Sequence, residues 1–284
     1  MELTLAMRTV RIGHTPDMDD AFMFSAIANR RVPLNGLRVE HVIEDIQTLN
    51  RRAASAELDV TAISAASYPA LADAYWILAV GSSVGRGYGP LLIARRPMGL
   101  ASLEGRRIAV PGLRTTACLL LRLALPGGVL LERRFEEIPH AVQGGEVDAG
   151  LVIHEWQLTY RDAGLHLVLD LGAWWQQQMH LPLPLGLNVA KRSLGREAAG
   201  RIATLLAQSV RYALNHPEEA LAYAMRYARG TDAARAMQFV SMYVNEDSLS
   251  LSPSCSEALG TLYARAYNAG LIPQVPALDI IEPA

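Results

Sequence analysis

The sequence predicts an α/β protein of two lobes with a ligand cleft between them, and three observations predict it. Strand and helix signals alternate through residues 9–82. A glycine-rich break, SVGRGYGP at 83–90, precedes a second alternating set that runs to about residue 172. A proline-rich stretch, LPLPLGLNVAKRSLG at 181–195, then leads into helical sequence. Alternation of this kind implies mainly parallel sheets flanked by helices. Two such sets joined by two crossings imply a discontinuous first lobe, 1–95 with 189–284, and an inserted second lobe, 96–188. A cleft between such lobes is a natural ligand site that closes by hinge motion.

Each element has its own signal. TVRIGHT reads as a strand, DDAFMFSAIANRR as a helix, LRVEHVIE as a strand and IQTLNRRAAS as a helix. LDVTAIS is again a strand, YPALADAY a helix and WILAVGS a strand, and PLLIARR is the strand that leaves the first unit. The second set runs GRRIAVPG (strand), TTACLLLRLAL (helix), VLLERR (strand), IPHAVQGG (short helix), then strands DAGLVIH and LHLVLDLG. Beyond the prolines, Ile202, Leu205, Leu206, Val210, Ala213 and Leu214 recur at spacings of three and four, one face of a helix. Pro217 with two acidic residues after it marks a helix start, and Gly270 marks a helix end.

Composition excludes several classes. Of 284 residues, 51% are hydrophobic and 19% charged, which supplies a large core and argues against disorder. A net charge of −2 without a basic block excludes tracking of a phosphate backbone, so nucleic acid is not an expected partner. Cys118 and Cys255 stand far apart with no metal-ligand spacing, which excludes a disulfide framework and a zinc site and fits a reducing compartment. MELTLAMRTVRIG has no continuous apolar segment, and no later run reaches the ~18 apolar residues of a membrane span. The expectation is a cytoplasmic protein without a membrane span; the oligomeric state is not read from the sequence.

Four stretches carry candidate chemistry. GLVIHEWQLTY, residues 150–160, ends an apolar strand on His154 and Glu155, where ligands bind in α/β sheets and where any buried chain must also turn polar. Histidine suits proton transfer near neutral pH, and adjacent extended residues point to opposite sides, so His154 is the expected base. The pair is no H-E-x-x-H zinc motif, because Leu158 stands where the second His would be. In VPGLRTTACLLL, Thr115 and Thr116 open an apolar helix whose N-terminus favours an anion; the same residues also serve as an ordinary cap. In the glycine-rich break, Ser83, Gly87 and Tyr88 can meet a ligand, and a hinge explains the glycines equally well; 85, 87 and 89 are not dinucleotide spacing. HTPDMDDAF places His14, Asp17, Asp19 and Asp20 between a strand and a helix, where Asp19 or Asp20 can orient the His154 ring, and Ser64 ends the third strand nearby. Trp174 and Trp175 are read either as a stacking platform or as core.

EDIQTLNRRA, VGRGYGPLLIAR, VPGLRTTACLLL, GEVDAGLVIHE and DLGAWWQQQMHLPLPLG, in this order, closely resemble the 1,4-dihydroxy-6-naphthoate synthases of the futalosine route to menaquinone, and the likeness covers nearly the whole chain. The resemblance implies the two-lobed fold of type II periplasmic binding proteins in a cytoplasmic enzyme. It also implies carbon–carbon lyase activity on cyclic dehypoxanthinyl futalosine, an aromatic carboxylate, with neither metal nor organic cofactor. Carried over by position, it makes His154 the catalytic base, Thr115 and Thr116 carboxylate binders and Ser64 a ligand contact. The chain departs at the first loop, where the synthases usually read S-P-C-P-N-D-T-F: a cysteine becomes Asp17, an asparagine Asp19 and a threonine Ala21. Two rival readings use the same fold. A chorismate dehydratase of the same pathway lacks the HE and LPLPLG segments, and a non-catalytic solute-binding protein needs an export signal.

Overall fold

The computed structural model describes residues 8–228 and 231–284; residues 1–7, which carry much of the export expectation, lie outside these, as do 229 and 230. The chain begins with β1 (Arg8–His14), α1 (Met18–Ala28), β2 (Leu37–Ile43), α2 (Ile46–Ala54) and β3 (Val60–Ser64). All five residues of β3 are buried, as their β-branched and small side chains suit. Asp45 starts α2 by accepting from Thr48 N at 3.0 Å. Ala65–Ala70 then forms a 3₁₀ turn where a helix was expected, because Pro69 inside it removes a backbone donor. β4 (Tyr75–Leu78) and β5 (Ser83–Gly85) follow.

The second unit contains β6 (Leu91–Ala94), β7 (Arg107–Val110), α3 (Thr116–Ala124), β8 (Val129–Glu132), α4 (Ile138–Gly144), β9 (Ala149–Val152) and α5 (Trp156–Thr159). β10 (His166–Asp170) and α6 (Leu171–Met179) complete it. The return runs through β11 (Leu183–Lys191), α7 (Arg196–Asn215), α8 (Pro217–Ala224), α9 (Ala233–Tyr243), α10 (Glu246–Leu249), α11 (Pro253–Asn268) and β12 (Ile280–Ile281). The buried face of α7 includes Ile202, Leu205, Leu206, Val210 and Ala213, and this face packs on α1.

Strand order is β12-β4-β11-β3-β1-β2 in the first sheet, with β5 added to β11, and β10-β6-β9-β7-β8 in the second. β11 runs against its neighbours β3, β4 and β5, and β6 runs against β9 and β10. The sheets are therefore mixed rather than mainly parallel, and the reversed strand in each is the one entered directly after a crossing. Leu91–Ala94 bonds within the second sheet and Leu183–Lys191 within the first. The crossings thus precede the expected positions near 95 and 189, since a short apolar run looks alike whichever sheet buries it.

The crossings are packed against each other. A Cβ on Gly172, in the first turn of α6, would lie 1.9 Å from the carbonyl carbon of Tyr88, so only glycine lets the helix lie on the outgoing chain. No helix was expected at 171–179, where glycine and two tryptophans weaken the propensity signal. The helix forms because Asp170 accepts from Gly172 N (2.8 Å) and Ala173 N (3.0 Å). Pro184 sits at a register irregularity between β11 and β5, where a missing N–H is tolerated.

Candidate active site

Between the sheets lies a cleft of about 690 Å³, counting its open mouth. Its walls come from strand ends and helix starts of both lobes, the arrangement expected of an α/β ligand site. The first lobe contributes Thr15, Asp19 and Asp20 after β1, Ser64 at the end of β3, Ser83 on β5, Asn188 on β11, and Phe239 and Tyr243 on α9. The second contributes Thr115 and Thr116 at the start of α3, and His154 and Gln157 beyond β9.

His154 lines the cleft, whereas its neighbour Glu155 is buried and not among the lining residues. The backbone of His154 is left-handed, φ 56°, which costs a non-glycine residue about 1–3 kcal/mol and marks a geometry the surroundings impose. Its imidazole stands edge-on to Phe135 (centroids 4.9 Å apart) and Phe239 (6.4 Å). Nε2 is 3.2 Å from Asp17 Oδ2, with side chains only 15% and 3% exposed. The atoms are within ion-pair distance but off the hydrogen-bond axis, and among the described residues Nε2 has no aligned hydrogen-bond partner. The carboxylate beside His154 is therefore Asp17, rather than the Asp19 or Asp20 expected to orient it.

Asp19 and Asp20 are engaged elsewhere. Ser83 Oγ donates to Asp19 Oδ2 at 2.8 Å, and Asp20 Oδ2 accepts from Thr15 N (2.9 Å) and Oγ1 (3.0 Å). Burial, then the charges of Asp19 and Asp17, push the Asp20 carboxyl up to about 8. His14 is fully buried against Phe24, and burial with the His41 charge lowers it to about 4. Its Nδ1 lies 3.0 Å from the Thr15 carbonyl, which can only accept, so Nδ1 carries the proton and Nε2 accepts from His41 Nδ1 (3.0 Å). His14 is a core residue of the loop.

These shifts make stability depend on pH in opposite senses. His14, depressed in the fold, destabilises it as pH falls below its unfolded value near 6.5. Asp20, raised in the fold, stabilises it at low pH, and this contribution is lost as pH rises through about 8. Between pH 6.5 and 9 the Asp20 effect stands alone of the two, with a slope of up to about 1.4 kcal/mol per pH unit. Asp20→Asn, which keeps an acceptor for Thr15, is expected to flatten the fall in melting temperature across that window. Equal slopes for both proteins would show that Asp20 ionises freely in the fold.

The two threonines are held by the chain itself. Thr115 Oγ1 donates to Gly112 O (2.7 Å) and accepts from Cys118 N (3.1 Å) as the cap of α3. Thr116 Oγ1 donates to Leu185 O (2.7 Å) and accepts from Ala66 N (3.1 Å), tying α3 to the first lobe. Their hydroxyl protons are thus committed to carbonyls. Among the described residues, the first-turn N–H groups of Thr116 and Ala117 have no partner, and both residues line the cleft. Thr115→Val is expected to lose about 1 kcal/mol of stability as a lost cap, read from the urea midpoint; an unchanged midpoint would contradict the capping role.

Ser64 is fixed by Asn50, whose Nδ2 donates to Ser64 Oγ (3.0 Å) while Ser64 N donates to Asn50 Oδ1 (2.8 Å). Gly87 is exposed and Tyr88 donates its hydroxyl to Met242 O; neither is among the lining residues, so the structure does not bring these two to the cleft. Glycines 87 and 89 serve the crossing instead. Trp175 is fully buried with Nε1 donating to Pro182 O (2.9 Å), and Trp174 also lies outside the cleft wall. Among the described residues no group of three or more His, Cys, Asp and Glu side chains is arranged to hold a metal ion.

Several lining residues have no sequence signal of their own. With its amide turned to suit its neighbours, Gln157 donates to Gly89 O (2.7 Å) and accepts from Tyr243 Oη (3.2 Å) and His154 N (3.3 Å). Burial raises the Tyr243 phenol well above its ordinary range, so it stays a donor. Asn188 Nδ2 donates to Gly81 O (2.8 Å), while its Oδ1 is buried at the cleft wall without a partner among the described residues. Phe239 and Tyr243 are one helical turn apart on α9, a spacing that reads as core packing.

Comparison with known proteins agrees with this architecture. A sequence profile described as menaquinone biosynthesis matches residues 10–268. A 1,4-dihydroxy-6-naphthoate synthase of Thermus thermophilus is 42% identical over 270 residues, covering 95% of this chain and 98% of that protein. Another, from Streptomyces coelicolor, is 41% identical over 271 residues, covering 93% and 95%. A crystal structure of an Archaeoglobus fulgidus protein superposes with a TM-score of 0.90 at 50% identity, over 93% of this chain and 98% of that one. An alkanesulfonate-binding protein of Xanthomonas axonopodis pv. citri superposes with a TM-score of 0.73 at 15% identity, over 96% and 97%, which shows the periplasmic-binding-protein-like fold. With a family profile spanning most of its length and relatives above 40% identity over nearly all of it, this chain belongs to the menaquinone biosynthesis family.

Proposed function

We propose that the chain is a 1,4-dihydroxy-6-naphthoate synthase: a cytoplasmic carbon–carbon lyase that converts cyclic dehypoxanthinyl futalosine to 1,4-dihydroxy-6-naphthoate, with His154 as general base. The observation that carries the reading is the near full-length likeness to two proteins of that name, and His154 in the cleft is consistent with it. The substrate is an aromatic carboxylate. Its anionic group lies at the start of α3, where the unpaired N–H groups of Thr116 and Ala117 and the helix dipole favour it. His154 takes a proton from the bound substrate, and closure of the cleft keeps water from the intermediates. Ser64, Ser83, Asp19 and Asp20 contact the remainder of the ligand.

The reading is tested in a bacterium that makes menaquinone by the futalosine route and lacks its own synthase. Expression of this chain is expected to restore menaquinone and to clear the accumulated cyclic dehypoxanthinyl futalosine. Persistent accumulation with the folded protein present would reject the assignment.

A further inference from the structure

We infer that Asp17 is the positioning residue of His154, and that the pair joins the two lobes across the cleft. The inference rests on His154 being the base and names the group through which the fold would control it. Asp17 is the residue before α1, with extended backbone (φ −71°, ψ 154°), where aspartate ordinarily caps the helix. Its side chain makes no cap hydrogen bond to α1. Instead its carboxylate lies 3.2 Å from His154 Nε2, buried to 3% exposure.

The two side chains come from different sheets. Asp17 follows β1 of the first lobe, and His154 follows β9 of the second. The imidazole is likewise boxed by one ring from each lobe, Phe135 and Phe239. Separation of the lobes therefore removes the carboxylate and one wall together. A carboxylate at Nε2 favours the tautomer with the proton on that nitrogen and leaves Nδ1 with the lone pair that accepts from the substrate. The contact is off-axis in this structure, as catalytic hydrogen bonds often are before ligand binds. Among the described residues, the ionisable groups on the elements around the ring include Asp19 and Asp20 in the same turn, Arg235 and Tyr243 on α9, Arg134, Glu136 and Glu137 beside Phe135, and Glu155 next in the chain. Asp19 bonds Ser83, Asp20 bonds Thr15 and Tyr243 bonds Gln157, so Asp17 is the carboxylate at the ring.

The test uses the full chain as wild type, Asp17→Asn, Asp17→Glu, His154→Asn and the Asp17→Asn/His154→Asn double variant, assayed on cyclic dehypoxanthinyl futalosine. Asp17→Asn is expected to lower kcat on the order of 10–100-fold, a part of the 10²–10⁴-fold worth of a positioned base, with KM nearly unchanged. Asp17→Glu is expected to recover part of the rate. In the double variant Asp17→Asn adds nothing to His154→Asn, because it acts through that ring. A multiplicative double variant, a loss expressed in KM with kcat unchanged, or full kcat in Asp17→Asn beside an inactive His154→Asn would overturn the positioning role and leave the base assignment standing. Full activity of His154→Asn would instead remove the base assignment itself.

Discussion

His154→Asn is expected to reduce turnover roughly 10²–10⁴-fold, the usual contribution of a positioned general base, while ligand affinity and melting temperature change little. Asparagine keeps a polar planar group in the same space but cannot take up a proton near neutral pH. The side chain is 15% exposed at the cleft wall and its Nε2 has no aligned hydrogen-bond partner among the described residues, so the substitution separates chemistry from stability. Turnover, affinity and melting temperature measured on one preparation decide the matter. A melting temperature that falls with activity would make His154 a structural residue, held in its left-handed backbone for packing alone.

The largest expected effect on stability comes from Trp175→Ala, at about 3–5 kcal/mol, the range for removing a large aromatic from a core. The side chain is fully buried, and its Nε1 donates to Pro182 O immediately before β11 begins. Truncation leaves a cavity under the returning crossing and an unsatisfied carbonyl. Because β11 carries Leu185–Asn188 along the cleft, part of the damage should appear as weaker ligand binding in the molecules that remain folded. The urea midpoint reports the loss. A change below about 1 kcal/mol would mean that α6 repacks around the gap, contrary to interiors as densely packed as organic crystals.

Much of the architecture was legible because buried strands and amphipathic helices write their periods directly into the chain. LDVTAIS, DAGLVIH and the α7 face illustrate this. The crossings were harder, since β6 and β11 reverse direction without any change of composition, and direction leaves no trace in an apolar run. Helix α6 was hidden by Gly172, which is required by contact with Tyr88 rather than by local structure. At the site, the His154 loop and the start of α3 were visible, whereas the division of labour among Asp17, Asp19 and Asp20 was not. Three acids in four positions read alike until the fold turns one toward His154, one toward Ser83 and one toward Thr15. Gln157, Asn188 and Tyr243 reach the cleft only through tertiary contacts.

The account stands most directly on one incubation. Purified protein with cyclic dehypoxanthinyl futalosine in large excess, followed by chromatography and mass detection, is expected to release many equivalents of 1,4-dihydroxy-6-naphthoate per protein chain. Binding of at most one equivalent of the futalosine per chain, with no naphthoate formed over hours, would contradict it and make the cleft a binding site alone.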